Sequence, residues 1–139
     1  MEMTRINSIK CPFLLLILLS AILSPSCQRE KPVVLPSPDT DKYKSIRDAK
    51  DWLNPYLIIQ EDGVSVLCRA VWQDERMVSI EELRDCLVKL PKEAWPYGRI
   101  VGLQENSLGR RTKLTARNKE KAEQILKSLE IRITWWPSG

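Results

Sequence analysis

Four cysteines, no histidine and a crowd of lysines and arginines around residue 115 bound the chemistry open to this chain. Without imidazole, the Ser-His-Asp and Cys-His nucleophile systems are out, and zinc or copper loses its commonest ligand. The cysteines stand at 11, 27, 68 and 86 and form no CxxC pair, so neither a zinc ribbon nor a thioredoxin-type redox site is expected. No GxxxxGK[ST] or GxGxxG loop is present to cradle a phosphate. Neither a metal nor a small-molecule cofactor is therefore expected. Carboxylates adjoin at Glu61-Asp62, Asp74-Glu75 and Glu81-Glu82. Glycoside hydrolysis needs two acids facing each other across a cleft, whereas Glu82 is better explained as a helix cap and the other two pairs fall at turns. The chain reads as non-catalytic.

Cys27 is the cysteine with the most telling surroundings. Met1–Lys10 carries Arg5 and Lys10, Pro12–Leu23 (PFLLLILLSAIL) is apolar, and Ser24 and Ser26 put small residues at the −3 and −1 positions before Cys27. At about 12 residues the apolar run falls short of the roughly 20 that span a bilayer as a helix, so a cleaved export signal over 1–26 is expected. The segment resembles a bacterial lipoprotein signal, which implies that Cys27 becomes the first mature residue and carries the lipid. The family's usual aliphatic residue three positions before the cysteine is displaced here to Leu23, four before it. Simple secretion after cleavage at Ser26 and an uncleaved anchor are the alternatives. A lipidated Cys27 would hold the protein to a membrane, since each buried CH₂ contributes about 0.8 kcal/mol.

Once Cys11 is removed and Cys27 is taken, Cys68 and Cys86 are left. Two cysteines in an exported domain suggest one disulfide, worth roughly 3 kcal/mol for a loop of this size; two buried thiols are the other reading. Between residues 110 and 121, Arg110, Arg111, Lys113, Arg117, Lys119 and Lys121 face only one acid, Glu120. Such a patch suits anionic headgroups or a phosphate-bearing envelope polymer, with Arg110, Arg111, Lys113 and Arg117 as the candidate contacts. Nucleic acid would use the same electrostatics, but export argues against it. A merely solvated loop and helix face is the plainer account. The five tryptophans are the remaining candidates. On a strand, Trp135 and Trp136 face opposite ways, so one can be core and the other a stacking surface for a sugar or protein, with Trp95-Pro96-Tyr97 as a rim. Trp52 and Trp72 read as packing.

The elements that must position these residues follow from periodicity. Gln28–Ser45, with Pro32, Pro36 and Pro38 among polar residues, is an extended tether over 27–45. A small domain over 46–139 follows. Asp41–Leu53 is expected as a helix with Ile46, Ala49 and Leu53 on one side. Tyr56–Gln60 and Val64–Trp72 are a hairpin around Asp62-Gly63, the dipeptide of type I′ turns. Ser79 and Glu82 form a capping box for a helix over Ile80–Leu90, with Val78 and Leu83 as its staple, and Cys86 beside its apolar stripe can then face Cys68. Arg99–Gln104 is a central strand, Glu105–Arg117 a polar basic loop, Lys119–Leu129 a second helix and Ile131–Trp136 the last strand. The expected fold is α+β, a two-layer sandwich in the order β-β-α-β-α-β, with two helices on one face of a small mixed sheet.

This order, with EDG at the hairpin, VSIEELRDCL, PYGRIVGL and AEQILKSLEI, resembles the periplasmic domain of ExbD/TolR-type biopolymer-transport proteins over about residues 56–135. The resemblance implies that fold and a location in the cell envelope. In that family the membrane helix carries an aspartate coupled to proton flow; Leu14–Leu23 has no acid, so no functional residue is carried over. The expectation is a membrane-tethered envelope lipoprotein, on the periplasmic or extracellular side, whose domain binds an envelope protein or anionic polymer. An envelope hydrolase or thiol enzyme, or a secreted inhibitor or immunity-type factor, is the alternative.

Overall fold

Strands of four to six residues alone bury little, and here five of them are tied into one sheet. The computed structural model describes residues 34–106 and 112–136. The order is α1 (Thr40–Tyr43), β1 (Tyr56–Ile59), β2 (Val64–Leu67), β3 (Glu75–Val78), α2 (Leu83–Val88), β4 (Ile100–Glu105), α3 (Lys113–Ser128) and β5 (Arg132–Trp135), with 3-10 turns at Ala49–Asp51 and Lys92–Ala94. The sheet runs β3-β2-β1-β4-β5. β1 pairs antiparallel with β2 and parallel with β4; β3 is antiparallel to β2, and β5 parallel to β4. The fold is thus α+β with a five-stranded mixed sheet and three helices.

Alternation along the strands separates two apolar sets. Leu57, Ile59, Val64, Val66, Val101 and Leu103 point to one face and pack with Leu83 and Leu87 of α2 and Ala122 and Leu126 of α3. Tyr56, Ile58, Leu67 and Ile100 point to the other, where Tyr43, Ile46, Ala49 and Trp52 lie against them. The 43–52 segment is therefore a strap across the second face. It is not the expected helix over 41–53: only Thr40–Tyr43 is α-helical, and Asp48 is extended (φ −116°, ψ 131°), its carboxylate accepting from the Lys50 N–H at 2.9 Å. Trp52, 1 % exposed, anchors the strap, its indole N–H donating to the Pro55 carbonyl at 3.3 Å. The Trp52 ring meets Tyr43, Tyr97 and Trp136 at centroid separations of 5.7, 5.0 and 6.0 Å, within the range in which aromatic pairs add to area burial.

Three further expectations are corrected. β2 stops at Leu67, and the Val71 and Trp72 N–H groups turn back to the Cys68 carbonyl at 3.1 and 2.8 Å, so Ala70 and Trp72 are not strand residues. A strand absent from the expected order, β3, follows that turn. The β1–β2 connection is not a type I′ turn: Asp62 lacks a positive φ, and Gln60 N–H bonds the Gly63 carbonyl at 2.9 Å. Gly63 is needed for room, because a Cβ there would collide with the Val78 carbonyl at the end of β3.

The helix signals fared better. Ser79 and Glu82 exchange capping-box bonds, Ser79 N–H to Glu82 Oε2 at 3.1 Å and Glu82 N–H to Ser79 Oγ at 3.3 Å, although regular α-helix begins only at Leu83. α3 starts six residues before the expected Lys119, because Thr112 caps it by accepting from the Thr115 N–H at 3.2 Å. It ends in a Schellman motif, Ile131 N–H to the Leu126 carbonyl (2.9 Å) and Glu130 N–H to that of Lys127 (3.0 Å), with Glu130 at φ +56° where glycine is usual.

Candidate functional site

The basic patch rests on the first two turns of α3, and the structure both builds and dilutes it. Asn118, buried on this helix, donates to the carbonyls of Gln60 and Glu61 at 2.9 and 3.0 Å and so clamps α3 to the β1–β2 turn. That clamp sets Arg117 and Lys121 beside Glu61, Asp62, Ser79 and Glu81 around a polar depression of about 220 Å³. Lys121 is spent on Glu81 at 2.9 Å, and Lys119 on Glu105 at 3.1 Å. Lys119 also stands over the Trp135 ring, 4.5 Å from its centroid. Lys113 and Arg117 are exposed and in no ion pair among the described residues. Arg110 and Arg111 lie outside the described residues, as does Cys27. The surface at this end is thus of mixed sign, with Lys113 and Arg117 its unpaired cations.

The same depression brings Glu61, Asp62 and Glu81 together, an arrangement that sequence separation hides. A general acid needs a carboxyl raised towards neutrality. Glu81 is shifted the other way: the hydrogen bond from Lys121 holds it below the usual carboxylate range, with Arg117 adding to the effect. Glu82 is likewise lowered by its bonds from Ser79, as a capping carboxylate should be. Glu81 and Glu82 are thus held as anions, unsuited to donating a proton near pH 7.

Cys68 and Cys86 are both thiols here, Cys68 buried and Cys86 half-buried. They belong to the same apolar cluster, Cys68 following β2 and Cys86 on α2, as the helix stripe implied. Burial pushes Cys68 up to about 12, with neighbouring Cys86 adding to the rise and Arg76 opposing it. Burial also raises Cys86. The thiolate is the nucleophile, so neither sulfur is prepared for attack at neutral pH. With the reduced chain, a maleimide or disulfide reagent at pH 7 is expected to label Cys86 slowly and Cys68 only after unfolding. The Cys86 rate should keep rising with pH beyond the ordinary thiol range. Mass spectrometry of the labelled peptides checks both; fast labelling of native Cys68 would mean that its packing is not as described.

The tryptophans divide differently from the expected rim. Trp95 and Tyr97 are buried, 3 % and 7 % exposed, and form no surface. Trp135 is 48 % exposed while Trp136 packs against Trp52, so the adjacent pair does split between solvent and core. Trp72 is half-buried beneath the Arg76 guanidinium, 4.0 Å from its ring centroid. Two polar side chains that periodicity passed over hold the framework: Asn118, above, and Asn54, fully buried and bonded to the loop before β4. Asn54 at least stands between Leu53 and Pro55, whereas Asn118, between Arg117 and Lys119, gave no signal. Among the described residues no helix is long and apolar enough to cross a membrane, and no group of acids and cysteines could hold a metal ion. Comparison with protein-family models, curated proteins and solved structures gives no match for this chain.

Proposed function

We propose that this chain is a membrane-tethered envelope lipoprotein whose small α+β domain binds another envelope component without catalysing a reaction. The observation that carries it is the order in Met1–Cys27: two cations, a short apolar run, small residues at −3 and −1, then cysteine. The residues between Cys27 and Val34 serve as the spacer, shorter than the tether expected over 27–45 because Pro36 and Asp39 are bonded to the loop before β4. The domain is read as a two-layer sandwich with the 43–52 strap as partial cover on its second face. Lys113 and Arg117, continued by Arg110 and Arg111, are the proposed contact for an anionic partner. Support for a binding rather than a catalytic role comes from the lowered, Lys121-paired carboxylate of Glu81 and the raised thiols of Cys68 and Cys86. In an oxidising compartment the Cys68–Cys86 pair is proposed to close as a disulfide. Kinship with the ExbD/TolR-type periplasmic domain extends at most to fold and location.

The mass of the N-terminal peptide, taken from membrane and soluble fractions of a bacterial host, tests this reading. A diacylated or triacylated Cys27 peptide in the membrane fraction is the expected result. An unmodified Cys27 terminus in the soluble fraction would replace it with a free secreted domain. An intact Met1 in the membrane would replace it with an uncleaved anchor.

A further inference from the structure

An apolar cavity of about 290 Å³ opens between the C-terminal ends of α2 and α3, far along both helices from the polar depression. Leu87, Val88 and Leu90 line one side and Leu129 and Ile131 the other, with Trp95, Arg99 and the 34–35 segment also in the wall. Small-molecule sites share this composition, aliphatic walls with one or two placed polar groups. Arg99 is the placed group. Its side chain is 29 % exposed and its Nη1 donates to Glu130 Oε2 at 2.6 Å. Its Nε is buried and finds no acceptor among the described residues, and the same holds for the indole N–H of Trp95. Buried donors are nearly always paired in native proteins, so an unpaired guanidinium N–H in the wall of an apolar cavity marks where an acceptor belongs. We propose that this cavity binds a free aliphatic carboxylate, its alkyl chain between α2 and α3 and its head group on Arg99.

Two features favour that ligand over a peptide. Five of the main-chain N–H groups around the cavity are already committed: Leu90 to Leu87, Trp95 to Lys92, Arg99 to Pro36, Leu129 to Ile125 and Ile131 to Leu126. A peptide backbone would find few donors there, whereas an alkyl chain needs none. Further, Arg99 already holds a carboxylate, that of Glu130, on a residue kept at φ +56° against its preference. The guanidinium fork can take a second carboxylate oxygen through Nε, as arginine commonly does. The site is separate from the basic patch and stands whether or not the chain is exported.

Calorimetric titration of the full chain with hexanoate, octanoate and decanoate, and with the matching 1-alkanols, all below their micellar range, provides the test. Each added methylene is expected to tighten binding about fourfold, and each carboxylate to bind about tenfold or more tighter than its alkanol. Arg99→Met should bring the carboxylates to the level of the alkanols. Glu130→Gln, which removes the competing anion, should tighten the carboxylates several-fold and leave the alkanols unchanged. Val88→Trp, which fills the cavity from a position 46 % exposed, should abolish both. Equal binding of carboxylate and alkanol by the unsubstituted chain overturns the proposal. So does binding that survives Val88→Trp, which would place the ligand on another apolar segment such as Pro12–Leu23. Because Glu130 and Val88 are exposed, those two variants keep the test intact even if Arg99→Met fails to fold.

Discussion

Alanine at position 54 is expected to lower the unfolding free energy by about 3 kcal/mol. Asn54 is fully buried and spans the gap between the strap and the loop before β4. Its Nδ2 donates to the carbonyls of Gly98 and Ile100 at 2.8 and 2.7 Å, and its Oδ1 accepts the Tyr97 N–H at 2.8 Å. The Gly98 carbonyl also receives the Ile100 N–H, so it is not left bare by the substitution. Tyr97 N–H is, and a buried orphan donor alone costs about 1–3 kcal/mol, to which the lost volume adds. For a domain of this size each kcal/mol shifts the melting temperature by about 4–8 °C. Asn54→Asp should be worse than alanine, since it sets an acceptor against two carbonyl oxygens. Urea unfolding of the two variants checks both statements. A loss below about 1 kcal/mol for alanine would mean that water or a shifted backbone satisfies the Tyr97 N–H.

What could be read from the sequence was whatever carries a strong local period or a cap. β1, β4 and β5 declared themselves by apolar runs between turn residues, and the second helix by Ser79 and Glu82. β3 did not, because Glu75–Val78 lies on the sheet edge, mostly exposed on both faces, so its side chains have no reason to alternate. The 41–53 segment misled in the opposite direction. Ile46 and Ala49 do share a side, but with Trp52 and not with the expected Leu53, which is 41 % exposed. A strap of short turns over the sheet satisfies that burial without a continuous helix. The extended conformation at Asp48, with its carboxylate on the Lys50 N–H, is the local preference that tips the balance. For α3 the first six residues, KLTARN, lack an apolar stripe, and Leu114 is 53 % exposed, so the helix start depended on Thr112 alone. The candidate sites were least legible of all. The cavity's one placed cation, Arg99, reaches Glu130 from 31 positions away, and the clamp from Asn118 to Gln60 spans 58. Periodicity is silent about such pairs.

Gly98→Ala is expected to cost as much as loss of the Asn54 side chain, about 3 kcal/mol, and for a backbone reason. Gly98 closes the turn that begins at Trp95, its N–H on the Trp95 carbonyl at 3.0 Å, and it sits at φ +80°, where an L side chain is strained. A Cβ there would also land on the Ser37 carbonyl oxygen and come within 2.9 Å of that of Pro36. Neither is the end of a flexible side chain, so the chain around residues 36–39 must move. Two bonds would go with it: Arg99 N–H to the Pro36 carbonyl at 2.9 Å, and Asp39 N–H to that of Tyr97 at 3.0 Å. Val34 and Leu35, which also line the cavity beside Arg99, precede the displaced segment, so decanoate affinity should fall along with stability. Because Asn54 and Gly98 meet through the same carbonyl, the two substitutions should not add. The double variant is expected to lose about 1 kcal/mol less than the sum of the singles. Full additivity would mean that the Asn54 side chain and the 36–39 segment are held independently, and that the loop before β4 is not the common anchor of the strap and the cavity wall.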